Sequence, residues 1–156
     1  MDHDVIVVGA GPVGARLATV LAERGVDVLL MEEHASIGRP FQCAGLVNPW
    51  SMAQVGLQHT VLQEIDGATI HGPHRASVSV GVPGEVRTSA VCRNRFDEGV
   101  VQQAIKAGSS LLLSTKATGI LPVEGEGWRV HHQQGASTGT TTCRLLVGAD
   151  GAHSRV

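Results

Sequence analysis

Four residues near the start of the chain have the types and spacing to hold a phosphate-bearing ligand: Gly9, Gly11 and Gly14 in GAGPVG, and Glu32 further on. In a G-x-G-x-x-G turn each glycine has a separate task. Gly9 allows the tight exit from a strand, Gly11 lets backbone approach a pyrophosphate, and Gly14 lets the following helix pack closely. The helix start then offers free N–H groups and a partial positive charge to the anion. Glu32 supplies a carboxylate that accepts ribose hydroxyls and repels a 2′-phosphate, which disfavours NADP at this position. FAD and NAD share the adenosine ribose and the pyrophosphate, so these four residues do not choose between them.

The elements that must position those residues are legible around them. DVIVV, residues 4–8, is a β-branched apolar run suited to a strand buried on both faces. Pro12–Arg24 reads as a helix with proline in its first turn, Val13, Leu17, Val20 and Leu21 on one face, and Gly25 as its stop. Val26–Met31 reads as a second buried strand ending at Glu32. Together these form a right-handed β-α-β unit with parallel strands.

Residues 35–49 read as an extended loop, followed by a short helix over Ser51–Val55. Ala68–His71, Ala76–Val80 and Glu85–Cys92 alternate as short antiparallel strands, with a turn near Val82–Gly84. Arg95–Ala107 has helical spacing through Phe96, Val100, Val101, Ala104 and Ile105, and Leu111–Ser114 reads as a third parallel strand. Lys116–Val123, Gly127–Gln133 and Thr138–Arg144 read as a meander, and Leu145–Gly148 as a further buried strand leading into ADGAHSRV. The fold class is therefore α/β: a Rossmann-like βαβ domain with a mixed, largely parallel sheet, a β-meander and short antiparallel strands within residues 66–92. Residues 1–65 and 93–156 read as the nucleotide-binding domain. The sequence stops where an α/β fold begins its next element, which reads as a fragment.

Composition bounds the function. The chain has 156 residues, 42% of them apolar and 17% charged, with a net charge of −2, as expected of a globular protein. Interspersed charges give no field directed at nucleic acid. The start, MDHDVIVV, lacks a basic leader, and no run reaches the length of a membrane span, so a cytoplasmic location is expected. Cys43, Cys92 and Cys143 make an odd set without C-x-x-C spacing, which reads as reduced thiols. No metal site is expected: His71 and His74 lack a completing cluster, and His131 and His132 point to opposite faces of a strand. Cys92 and Cys143 read as small core residues. Cys43 is balanced between a reactive thiol and a packed loop residue, since reactivity depends on a thiolate-stabilising environment.

Four stretches carry a family likeness: GAGPVG with Glu32, the loop IGRPFQCAGLVNP, CRNRFDEGVVQQAIKAG, and VGADGAHSRV. Through them the chain resembles the N-terminal part of FAD-dependent oxidoreductases of the aromatic-hydroxylase-like class, and within it the geranylgeranyl reductase family. The resemblance implies FAD as cofactor and NAD(P)H as a transient electron donor. It places Cys43, Ala44 and Gly45 beneath the flavin, with Cys43 as a catalytic candidate, and Arg93 near the phosphates. It also places the backbone of Ala117 at the adenine, and Asp150 and Gly151 at the flavin's sugar-like chain or ribose. The same resemblance implies that residues 66–92 start an antiparallel substrate-domain sheet. The D-G-x-x-S-x-x-R motif of the class is met at Asp150, Gly151 and Ser154, its arginine falling beyond residue 156. The implied substrate is an isoprenoid or other apolar molecule, with peripheral membrane association and no nucleic-acid partner. The implied reaction is reduction of prenyl C=C bonds. An aromatic or polyene monooxygenase is the alternative on the same scaffold, and a non-catalytic nucleotide-binding fragment the alternative outside catalysis.

Overall fold

In the computed structural model, residues 1–41, 43–125 and 127–156 are described, His153 by its backbone alone. Gln42, inside the quoted cysteine loop, and Glu126, between two strands of the meander, lie outside the described residues. The chain divides into two units, Met1–Arg39 with Asp97–Val156, and Pro40–Phe96.

The first unit starts with β1 (His3–Val8), α1 (Pro12–Ala22) and β2 (Val28–Met31). The last four residues of β1 and all of β2 are buried, as a continuous apolar run requires. The two strands pair in parallel, Val5 beside Val28 through Val8 beside Met31. The helix corrects the reading of its periodicity. Its buried face is Gly14, Ala15, Ala18 and Thr19, whereas Val13 is 79% exposed and Leu17, Val20 and Leu21 are only partly buried. Small residues win that face because they let the helix backbone approach the sheet, and the Thr19 hydroxyl is satisfied by the Ala15 carbonyl at 2.9 Å. The helix also ends two residues earlier than expected. Gly25, at φ +78°, donates to Ala22 O and turns the chain, and the Arg24 guanidinium caps Val20 O at 2.7 Å.

The second unit holds β3 (Leu46–Val47), α2 (Pro49–Val55), β4 (Val61–Ile65), β5 (Gly67–His71), β6 (Ser77–Gly81) and β7 (Thr88–Val91). The strands β3 and β4, both unread in the sequence, flank β7 in a three-stranded antiparallel sheet. The helix α2 begins at Pro49, because Asn48 accepts from Ser51 N at 2.7 Å and proline suits the next position. The strands β5 and β6 form a separate hairpin. The turn expected at Val82–Gly84 is present, with Glu85 N donating to Val82 O, but the strands flanking it do not pair with each other.

A third helix, α3 (Arg93–Ala107), opens at the end of the second unit and continues into the first. It starts two residues before the expected Arg95, and buries Phe96, Val100, Val101 and Ala104. The chain then adds β8 (Ser110–Leu112), β9 (Thr115–Pro122), β10 (Trp128–Gln134) and β11 (Ser137–Gly148), giving a six-stranded sheet in the order β8-β2-β1-β11-β10-β9. The two strands expected over residues 138–148 are one. β11 pairs antiparallel with β10 along its first half and parallel with β1 along its second, His3 beside Cys143 through Val8 beside Gly148. No glycine or proline interrupts Arg144–Leu145, so nothing breaks the extended chain there. Ile6, Val8, Leu29, Met31, Ala117, Val130 and Cys143 form a core cluster on the sheet. Burial pushes the Cys143 thiol up, consistent with an inert core residue.

Candidate functional site

Parallel order puts the ends of β1, β2 and β11 side by side, and the crevice beyond such carboxyl ends is where α/β sheets bind ligands. At that edge Gly9 has φ +100°, its N–H bonds Met31 O at 2.7 Å, and Ala149 N bonds Val8 O at 2.7 Å. A Cβ on Gly9 would collide with the Ala149 carbonyl and come within 2.8 Å of Asp150 N, so the glycine turn and the Asp150–Gly151 turn are pressed together. A Cβ on Gly14 would collide with Gly9 O and crowd Ala149 Cβ at 3.1 Å and Val7 Cγ1 at 3.2 Å. These two glycines serve close packing.

Gly11 differs. Its backbone is extended (φ −68°, ψ 176°), so its conformation admits any residue, and a Cβ there would meet no protein atom within 4 Å. Packing therefore gives no reason for glycine at this position, whereas close approach by a ligand does. The first intrahelical bond is Ala15 N to Gly11 O at 2.9 Å, so the amides of Val13 and Gly14 have no intrahelical acceptor and point out of the helix start. An open backbone surface in front of free amides fits a pyrophosphate.

Glu32 completes the arrangement. Its side chain is 13% exposed, and Oε2 accepts from Ala10 N at 3.0 Å, tying the acid to the glycine turn. Oε1 accepts from His34 N at 3.0 Å and lies 2.6 Å from His34 Nδ1. The backbone of Glu32 is fixed on both sides, its N–H to Leu112 O and its carbonyl to Thr115 N. His34 is the neighbour of Glu32 that the sequence reading missed. A histidine two positions past a strand-ending acid, where the chain turns, was the available signal. Next to it Glu33 pairs with Lys116 at 2.7 Å, and that bond holds the Glu33 carboxyl below its ordinary value.

Ala117 follows Lys116 on β9 and is buried in the core cluster, so its side chain is not available to a ligand. Asp150 is partly buried. Burial raises its carboxyl, but donated bonds from Ser154 Oγ and Arg155 N, both 2.7 Å, outweigh that and leave it below its ordinary value. Both oxygens therefore brace the turn through Gly151 (φ +80°).

The remaining candidates lie in the second unit. Cys43 and Ala44 are exposed. Gly45 is buried at φ +75°, its carbonyl accepts from Val91 N at 2.9 Å, and a Cβ there would meet Arg93 Cγ at 3.1 Å. The structure thus joins the cysteine loop to the stem of Arg93, which stands in the first turn of α3. Among the described residues no group of three or more metal-ligating side chains is present.

A turn, a helix start and an acid in this order, on this sheet, define a dinucleotide-binding domain. Residues 2–156 match the FAD binding domain family, and the chain belongs to it. The chain is 33% identical over 159 residues to a digeranylgeranylglycerophospholipid reductase of Methanopyrus kandleri, covering 100% of this chain and 41% of that protein. It is 32% identical over 164 residues to a digeranylgeranylglycerophospholipid reductase of Methanocella arvoryzae, covering 99% and 41%. Its fold superposes on a geranylgeranyl bacteriochlorophyll reductase-like protein of Thermoplasma acidophilum with a TM-score of 0.85 at 24% identity, over 96% of this chain and 39% of that one. The chain spans about two fifths of the length of the curated relatives it matches.

Proposed function

We propose that this chain is the flavin-holding part of an FAD-dependent oxidoreductase that reduces C=C bonds of an isoprenoid lipid. The observation that carries the reading is the 32–33% identity to digeranylgeranylglycerophospholipid reductases along 99–100% of this chain. The residues here fit the cofactor: the amides of Val13 and Gly14 and the open face of Gly11 receive the pyrophosphate, and Glu32 receives the adenosine ribose. Ala117 offers backbone to the adenine, Arg93 a fork of donors to the phosphates, and Asp150 and Gly151 a turn beside the sugar-like chain. Cys43, Ala44 and Gly45 form the loop beneath the flavin, with Cys43 at the substrate side. Bound flavin supplies the hydride chemistry; the protein positions it and excludes water.

NAD(P)H serves as transient electron donor in this reading, and the substrate is an apolar prenyl chain reached by peripheral contact with the membrane. Strands from residues 66–92 form part of the substrate-binding sheet. Among the described residues no helix is long and apolar enough to cross a membrane.

The test uses a protein of the relatives' length: one portion is denatured to release its flavin, and a second, native portion is assayed with a reductant for the flavin and a digeranylgeranyl lipid. Saturation of C=C bonds without O2 consumption is expected. A protein that releases no flavin contradicts the cofactor assignment. O2 consumed in step with product moves the enzyme to the monooxygenases.

A further inference from the structure

The acceptor capacity of Glu32 is nearly used by the protein itself. An ionised carboxylate offers about four lone-pair sites. Three donors already face this one: Ala10 N on Oε2, and His34 N and His34 Nδ1 on Oε1. A ribose brings two adjacent hydroxyls, and one remaining site accepts only one of them. Two of the three protein donors are backbone groups fixed by the turn, and the His34 carbonyl is itself held by Ser114 N at 3.0 Å. The imidazole, 41% exposed, is the donor that can swing away. We propose that the His34 imidazole competes with the nucleotide ribose for Glu32, so that capture displaces the ring and protonation of the ring opposes capture. The inference rests on the reading that Glu32 receives the adenosine ribose.

The direction follows from the charges present. A neutral ring gives Oε1 an ordinary hydrogen bond, whereas an imidazolium gives a charge-assisted bond roughly twice as strong. The charged groups around it keep their state. Glu33 stays ionised because its bond with Lys116 holds its carboxyl low, and Arg155 acts on Glu33 in the same sense. Neither β8 nor the Gly9–Gly11 turn contributes an ionisable side chain. Histidine is the side-chain type whose ordinary charge change falls in the physiological pH range.

The experiment titrates the 156-residue chain with ADP-ribose by calorimetry from about pH 8 to about pH 5.5. ADP-ribose carries the adenosine ribose and a pyrophosphate with no group titrating in that window, so a slope belongs to the protein. Wild-type affinity is expected to fall about tenfold across the window, and His34→Ala to bind with an affinity that is flat and, at the acid end, about tenfold tighter than wild type. Glu32→Gln should also lose the slope. Wild-type affinity that stays flat or rises in acid overturns the proposal, the latter because the imidazolium would then be serving the phosphates. A His34→Ala chain that keeps the wild-type slope, or binds more weakly at every pH while its circular dichroism is unchanged, overturns it as well. These results leave the nucleotide site standing. Absence of ADP-ribose binding by the wild type at any pH removes the site and the competition together.

Discussion

The β1–α1–β2 segment and the β5–β6 hairpin are built from similar residues and meet opposite fates. Isoleucine and valine in β1 and β2 disappear from solvent: Ile6, Val7 and Val28 are each 0% exposed. In the hairpin every residue but Gly67 is exposed, with Ile70 at 61% and its cross-strand partner Val78 at 62%. The difference lies in what surrounds the strands. The sheet continues past β1 and β2 on both sides and α1 packs against them, whereas among the described residues β5 and β6 make a sheet of two strands, joined by their ladder and by the Thr69–Ser79 hydroxyl pair at 3.0 Å. Apolar residues stabilise in proportion to the area they lose to solvent, so the same side chain is worth several kcal/mol in one strand and little in the other. The strands that flank the glycine turn therefore contribute more to stability than the β5–β6 hairpin does.

The strongest way to break this contrast is to crowd the turn. Gly14→Val drives a side chain into Gly9 O, Ala149 Cβ and Val7 Cγ1, and should cost about 3 kcal/mol or more in urea unfolding. Gly11→Ala meets no protein atom and should change stability by less than about 1 kcal/mol while weakening ADP-ribose binding. Equal stability losses at the two glycines would show that Gly11 also serves packing. The next contrast sets the two regions against each other directly. Ile6→Ala should destabilise by about 3 kcal/mol through the cavity it leaves, and Ile70→Ala by under about 0.5 kcal/mol. Hydrogen exchange of the hairpin amides should likewise be much faster than that of β1 and β2.

A smaller effect touches binding and folding together. Glu32→Gln removes charge-assisted acceptance of ribose hydroxyls and should lower ADP-ribose affinity about tenfold at neutral pH. Its NH2 group also faces a donor that the carboxylate accepts in the wild type, Ala10 N or the His34 groups, so stability should fall by about 1 kcal/mol as well. The smallest effect tests how the sheet is closed at its margin. Asp2 accepts from Thr142 N at 2.8 Å and from Thr142 Oγ1 at 2.9 Å, and the backbone bond before the hydroxyl bond holds its carboxyl below the ordinary value. A carboxyl lowered by folding stabilises above its unfolded value and loses that contribution as pH falls through its folded value. Asp2→Asn should therefore lower stability slightly at neutral pH, leave it unchanged at the acid end, and flatten the unfolding-versus-pH curve between the two.

The sequence alone determined the β-α-β unit, the roles of Gly9 and Gly14, and the place of Glu32, because each follows from local rules: period, turn chemistry and strand length act over a few residues. It also located the helix that became α3 and the core role of Cys143. Tertiary structure decided which face of α1 is buried, since helical spacing ranks large apolar residues first while close approach to the sheet selects Gly14, Ala15 and Ala18. It decided that residues 137–148 are one strand serving two partners, and that β3 and β4 flank β7, because pairing between distant segments leaves no periodic mark in either one. It also brought the His34 ring to the carboxylate of Glu32, a contact set by how the chain turns after β2 and by where Ser114 holds that turn.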